Sequence, residues 1–145
     1  MPKDDECYTP KWIMKTIGLQ FDLDVASPKG HDTFVPATQR FTIDDDGLSQ
    51  PWHGRVWMNP PYSAPKLWVK RFIEHGNGIA LLPLSLSYWS KDIWNAADAI
   101  TLTERQPKFI RPDGSSRGIR FPTFLFAIGA DNASALNNFT EYRVR

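Results

Sequence analysis

Apolar and polar positions along the chain follow two rhythms, one helical and one strand-like, and the two take turns. Thr9-Pro10 supply a potential cap and a proline whose φ suits a first helical turn. Trp12, Ile13, Thr16 and Ile17 then recur at helical spacing, and Gly18 offers a stop. Residues 21–26 alternate apolar and acidic side chains with a period of two, which predicts a strand. Phe41-Thr42-Ile43 predicts a second short strand, closed by Asp44-Asp45-Asp46-Gly47. Residues 55–58 predict a third, running directly into Asn59-Pro60-Pro61-Tyr62. Ser63 is positioned to cap a helix through about His75, with Leu67, Trp68, Phe72 and Ile73 on its inner face. Residues 78–84 are continuously apolar, as in a parallel strand buried on both faces. A helix near 88–97, an apolar stretch at 99–103, a loop-like segment at 105–120, a strongly apolar strand at 121–128 and a short helix at 132–139 complete the pattern.

About six strands mostly separated by helices predict an α/β fold with an open, largely parallel twisted sheet and flanking helices. In such sheets ligands bind beyond the carboxyl ends of the strands. Asp24, the aspartates 44–46 and residues 59–62 all fall at or after predicted strand ends, so they should gather on one rim. There is no internal repeat, low-complexity tract or linker, and 145 residues suit a single domain spanning 1–145.

Composition narrows the classes. At 41% hydrophobic and 23% charged, the chain can build an ordinary core. It has no apolar run long enough for a transmembrane helix. Its acidic, polar start does not resemble a signal peptide. Cys7 is the only cysteine, so there is no internal disulfide, and a reducing cytosol fits. No His/Cys cluster has metal-ligand spacing. The net charge of +1 is unevenly spread: residues 1–62 hold six Lys/Arg against nine Asp/Glu, and residues 63–145 hold eleven against seven. That bias is either an ordinary solvated surface or a place to meet a polyanion.

The chemistry concentrates in Asn59-Pro60-Pro61-Tyr62. The exocyclic amine of adenine is a poor nucleophile because its lone pair is delocalised into the ring. Two acceptors for its two N–H groups draw the nitrogen toward a tetrahedral, reactive geometry. The Asn59 side-chain oxygen can be one and the Pro60 carbonyl the other, held in a loop that the prolines stiffen. Tyr62 offers a face on which a flipped base stacks. Neutral acceptors also stabilise the positive charge that builds on the attacked nitrogen. Taken alone, the tetrapeptide also reads as a rigid turn or polyproline ligand. The strand before it and the Ser63 cap after it favour the catalytic reading.

At this point the sequence resembles the phage-type DNA N-6-adenine methyltransferase (Dam) family, a compact branch of the class I S-adenosylmethionine-dependent enzymes with a Rossmann-like sheet. The resemblance runs from about Asp5 to Ile128. It rests on Tyr8-Thr9-Pro10, residues 21–27, Asp46-Gly47-Leu48 with Trp52, residues 56–63 and residues 121–126. By this resemblance Tyr8, Thr9 and Pro10 form the N-terminal cofactor block, with Thr9 and Pro10 at the methionine end of S-adenosylmethionine. Asp24, Ala26 and Ser27 form the first cofactor strand and its loop, with Asp24 on the donor's amino group. Asp46 serves the ribose hydroxyls or the adenine amine, and Asn59, Pro60, Pro61 and Tyr62 are the catalytic tetrapeptide. Asp44 and Asp45 are weaker candidates, because aspartates are common in solvated turns. Asp22 is the alternative to Asp24, which lies nearer the strand's carboxyl end. One departure stands out: where the wider class has a G-x-G loop, this chain reads Ala26-Ser27-Pro28-Lys29-Gly30.

The partner implied is double-stranded DNA, acted on in the cytoplasm of a bacterial host by a monomer or homodimer, without a membrane. The basic segment 105–120 carries Arg105, Lys108, Arg111, Arg117 and Arg120 to phosphates or a guanine edge. Lys66 and Lys70, with Arg71, add phosphate contacts from the helix after the tetrapeptide. The chain leaves little room for a target-recognition domain, which implies short-site or relaxed specificity. RNA adenine and protein glutamine remain alternative acceptors, and a non-catalytic DNA-binding decoy remains an alternative use of the fold.

Overall fold

A computed structural model describes residues 9–30, 33–103, 108–110, 116–118, 123–139 and 143–145, with 108–110 and 116–118 described by backbone alone. Two apolar clusters form because the central strands alternate their side chains between two faces. Trp57, Ile79, Leu81, Leu125 and Ala127 point one way. Val56, Met58, Ala80, Leu82, Phe124 and Phe126 point the other. The strands are β1 (Phe21–Asp24), β2 (Ala37–Arg40), β3 (Val56–Met58), β4 (Gly78–Pro83), β5 (Ala99–Leu102), β6 (Lys108–Ile110), β7 (Ser116–Gly118) and β8 (Thr123–Ile128). The helices are α1 (Lys11–Ile17), α2 (Lys66–His75), α3 (Tyr88–Ala96) and α4 (Ala130–Ala135). Helices α1 and α4 cover the first face of the sheet, and α2 and α3 cover the second. A sheet buried on both faces needs continuously apolar strands. All six residues of β4 are buried accordingly.

Six strands form one sheet in the order β2-β1-β3-β4-β8-β5, and β6 pairs with β7 in a separate ribbon. The α/β class expected from the sequence holds, but the sheet is mixed rather than largely parallel. Its three pairings from β2 to β4 are parallel, and the two that β8 makes with β4 and β5 are antiparallel. The reason is the connection. Parallel neighbours need a long crossover, usually a helix. Between β5 and β8 the chain makes no described helix, only the β6–β7 excursion, and β8 returns in the opposite sense between β4 and β5.

Local departures have local causes. Helix α1 begins at Lys11 with Pro10 as its cap residue and no side-chain cap, so Thr9 is not the cap. Gly18 does end it, at φ 69°. This is the left-handed conformation that glycine adopts without a Cβ penalty. The second strand is Ala37–Arg40, ahead of the expected 41–43. Phe41 turns inward just after it and Ile43 is exposed. Helix α2 starts at Lys66 behind Pro65, so Ser63 is not its cap. Its buried residues are Val69 and Phe72, while Trp68 and Ile73 are half-buried. Leu67, expected inside, is 62% exposed. The segment 105–120, expected as loop, contains the antiparallel pair β6–β7, with Lys108 opposite Gly118 and Phe109 opposite Arg117. Among the described residues no helix is long and apolar enough to cross a membrane.

Candidate active site at the carboxyl rim of the sheet

Parallel pairing carries the carboxyl ends of β1, β3 and β4 to one edge of the sheet. Asp24, the last residue of β1, is in register with Trp57, and Met58, the last of β3, with Ala80 of β4. The Val25 amide donates to the Trp57 carbonyl (3.1 Å), so the turn after β1 is tied to β3 just before Asn59. The gathering expected from the sequence therefore occurs for Asp24 and residues 59–62.

Asn59 is half-buried at the start of its loop. Its Nδ2 donates to Thr9 Oγ1 at 3.3 Å. The threonine that does not cap α1 thus serves the loop instead, and with Pro10 it is buried. One donor of the Asn59 amide is committed to Thr9, which orients the group and leaves its oxygen as an acceptor. Pro60 is buried and Pro61 half-buried. Tyr62 is half-buried, and its hydroxyl donates to the Leu81 carbonyl of β4 at 3.4 Å.

Asp24 is only 1% exposed. Burial pushes its carboxyl up from an ordinary 3.8 to about 7. Three groups pull the other way: the Ala26 amide (3.3 Å), the Arg40 guanidinium (3.6 Å) and the Ser27 hydroxyl. Ser27 Oγ stands close enough to favour the charge, yet its geometry makes no hydrogen bond. It is a buried hydroxyl without a hydrogen-bond partner. Arg40 escapes sequence reasoning because Ala37–Arg40 carries no alternating apolar signal, and its approach to Asp24 depends on strand register. Asp22, the alternative to Asp24, is exposed and accepts from the Arg55 amide at 2.8 Å, so it braces the entry to β3 instead.

The three turn aspartates separate clearly. Asp44 pairs with Lys29 at 2.8 Å. Asp45 accepts from the Thr42 amide at 2.8 Å, closing the turn. Asp46 is exposed, caps no backbone amide with its side chain, and stands at φ 53°, the only non-glycine with positive φ among the described residues. Aspartate tolerates this conformation better than most residues, and such strain is often kept where a side chain must be aimed.

Gly47 brings this turn against β1. A Cβ there would lie 2.2 Å from the Val25 carbonyl oxygen and 3.2 Å from the Trp68 ring. The Gly47 carbonyl accepts from Trp52 Nε1 at 2.8 Å. Trp52 stacks on Trp68 at 6.5 Å between ring centroids. Arg71 lies over Trp52 and donates to the carbonyls of Leu48 and Gln50 at 2.6 and 2.7 Å, so its guanidinium holds the turn. Close backbone approach to the turn after β1 is thus supplied at Gly47. Gly47→Ala is expected to destabilise the protein by about 1–3 kcal/mol, the range for forced overpacking. Urea denaturation checks this, and an unchanged midpoint would show that the turn yields freely.

Among the residues expected on DNA, Lys66 and Lys70 are exposed on α2. Lys108 and Arg117 fall in β6 and β7. Tyr8, Arg105, Arg111 and Arg120 lie outside the described residues. No group of three or more His, Cys, Asp or Glu able to hold a metal occurs among the described residues.

The chain is 30% identical over 114 residues to a DNA N-6-adenine-methyltransferase of Haemophilus phage HP1 (strain HP1c1), covering 70% of this chain and 64% of that protein. It is 33% identical over 90 residues to a DNA N-6-adenine-methyltransferase of Escherichia phage T1, covering 56% of this chain and 36% of that protein. The chain thus spans less than two thirds of the length of either relative. No solved structure matches it. The model of the family described as DNA N-6-adenine-methyltransferase (Dam) matches residues 1–120, which take in β1, the Asp46-Gly47 turn and the whole of residues 59–62. The chain belongs to the DNA N-6-adenine-methyltransferase (Dam) family.

Proposed function

We propose that this protein transfers a methyl group from S-adenosylmethionine to the exocyclic N6 amine of adenine in double-stranded DNA, in the cytoplasm of a bacterial host. One observation carries the reading: the Asn59 side chain, held by Thr9, and the buried Asp24 carboxyl stand at the ends of adjacent parallel strands. The phage origin and named activity of both relatives support it. So does a class I, Rossmann-like reading of the sheet, with its ligand edge at the carboxyl ends of β1 and β3.

The residues present fit the methyl donor. Asp24 is a buried carboxyl suited to an ammonium group. Ser27 adds a buried hydroxyl that lacks a partner. Asp46 has an exposed carboxylate suited to ribose hydroxyls or an adenine amine. Ala26 and Pro10 border the same edge, with Tyr8 beside Thr9 in the chain. When bound, the donor supplies an activated methyl on a sulfonium. This chain supplies alignment. Asn59 Oδ1 and the Pro60 carbonyl accept the two N–H groups of the target amine and hold it for attack. The Tyr62 ring supports the base plane, a stacking contact of roughly 1–3 kcal/mol. Uncharged acceptors suit a nitrogen that becomes positive.

Lys66 and Lys70 are the described cations best suited to phosphates. The β6–β7 ribbon, which carries Lys108 and Arg117 and is flanked in sequence by Arg105, Arg111 and Arg120, has the width of element that a major groove admits.

The acceptor is tested by offering duplex DNA, RNA and a glutamine-containing peptide together with labelled S-adenosylmethionine. The reading expects label in DNA. Label in RNA or peptide alone would move the same site to another acceptor, and failure to bind the donor would leave a DNA-binding decoy.

A further inference from the structure

The turn that follows β4 and the first residue of α3 together bear three exposed apolar side chains in five residues. Leu84 is 47% exposed, Leu86 102% and Tyr88 86%. Scattered surface leucines are ordinary, but this group differs in three respects. It leaves the carboxyl end of β4, directly beside the end of β3 that carries residues 59–62, and the Tyr62 hydroxyl is bonded to the β4 backbone. It is braced from within: Ser85 Oγ and Ser87 Oγ are 2.8 Å apart, and the Ser87 amide donates to Ser85 Oγ at 3.2 Å. The turn therefore presents Leu86 outward rather than folding it away. Finally, Ser87 and Tyr88 border a cleft between α2 and α3 whose lining includes Lys66 and Lys70 as well as Glu74 and Asp92, so cations able to meet phosphates stand near the end of the turn.

Methylation at the 59–62 loop requires the adenine to leave the base stack, and the duplex then keeps an empty step. Apolar side chains such as leucine fill such steps in proteins that unstack DNA. A turn beside the catalytic loop, apolar and fully exposed at its tip, matches that need. We propose that Leu86 is an apolar wedge, entering the duplex where the target adenine leaves and holding the gap open while the base sits on Tyr62. The proposal rests on the reading of this chain as a DNA adenine methyltransferase. Leu86 touches DNA but not the reacting atoms, so it is a positioning residue. Lys66 and Lys70 anchor the adjoining backbone.

The test begins by mapping which adenines the wild-type protein methylates in unmethylated genomic DNA. Two duplexes carrying a mapped site are then made, one with the target adenine paired to thymine and one with it opposite an abasic position. Leu86→Ser, fully exposed and so neutral for folding, is expected to lower the rate on the paired duplex at least about tenfold. On the abasic duplex, where the adenine is already unpaired, the loss should stay within about threefold. Leu86→Phe should retain most activity on both. With 2-aminopurine at the target position, the wild type should raise the fluorescence of the paired duplex and Leu86→Ser should not. Equal losses on both duplexes with an unchanged fluorescence rise would overturn the wedge, as would a Leu86→Ser rate equal to wild type on the paired duplex. A wild-type protein that methylates no adenine in the starting DNA overturns the parent reading, and the wedge with it.

Discussion

Asn59→Ala is expected to reduce methyl transfer to DNA by about 10²–10³-fold, the scale on which one preorganised hydrogen-bonding group in a catalytic site contributes. The substitution removes the acceptor that receives one N–H of the target amine, and it leaves Thr9 Oγ1 without its donor. Donor affinity should change little, because the neighbouring β1 turn is held by its own bond from Val25 to Trp57. Asn59→Asp keeps an acceptor oxygen at the same place and should retain more activity than alanine. Single-turnover rates combined with a donor titration separate these effects. A loss that appeared wholly in donor affinity would mean that residues 59–62 bind cofactor rather than substrate.

Asp24→Asn is expected to have opposite effects on binding and stability. The carboxyl is buried, and its value of about 7 lies above the ordinary 3.8. The folded protein therefore holds a proton there that the unfolded chain releases between roughly pH 4 and 7. The stability this provides is fully present below about pH 4 and is lost as the pH rises toward 7. Above that the carboxylate is buried and charged, relieved in part by Arg40. Asparagine avoids that cost, so at pH 8 the variant should be more stable by about 1–3 kcal/mol, a discounted share of the shift. The same change should weaken S-adenosylmethionine binding by about 10- to 100-fold, the scale of a charge-assisted hydrogen bond. Wild-type binding should tighten as pH rises from 6 to 8, and the variant's should not. Chemical denaturation and calorimetry across that range check both halves. An Asp24→Asn protein that is less stable at pH 8 and binds donor normally would reduce Asp24 to a structural partner of Arg40.

The legible parts of the chain were those where one physical constraint acts alone. The unbroken apolar run of β4 and the strand ahead of Asn59 can be read from periodicity, because burial on both faces admits little else. Asp24 is legible as a charge at a strand end, and the structure buries it while leaving Asp22 exposed. What local pattern could not reveal depends on contacts far apart in sequence. Thr9 looked like a cap because Thr-Pro precedes a helical rhythm, but its hydroxyl is taken by a residue fifty positions away. Ser63 is displaced from the cap for a nearer cause: Pro65 takes the cap position and α2 starts at Lys66. The antiparallel insertion of β8 goes with a connection whose described residues are strands rather than a helix, and the basic composition of 105–120 masks the β-ribbon within it. Arg40 and Leu86 carry no motif. One matters through register and the other through exposure, and neither can be seen before the fold.

The central claim is most directly tested by where the methyl group lands. Purified protein is incubated with methyl-labelled S-adenosylmethionine and unmethylated duplex DNA, the DNA is digested to nucleosides, and the labelled nucleoside is identified. The account predicts label on N6-methyladenosine of the deoxy series, reduced to near background in Asn59→Ala. Label on cytosine, or donor consumed without any label entering DNA, would contradict it.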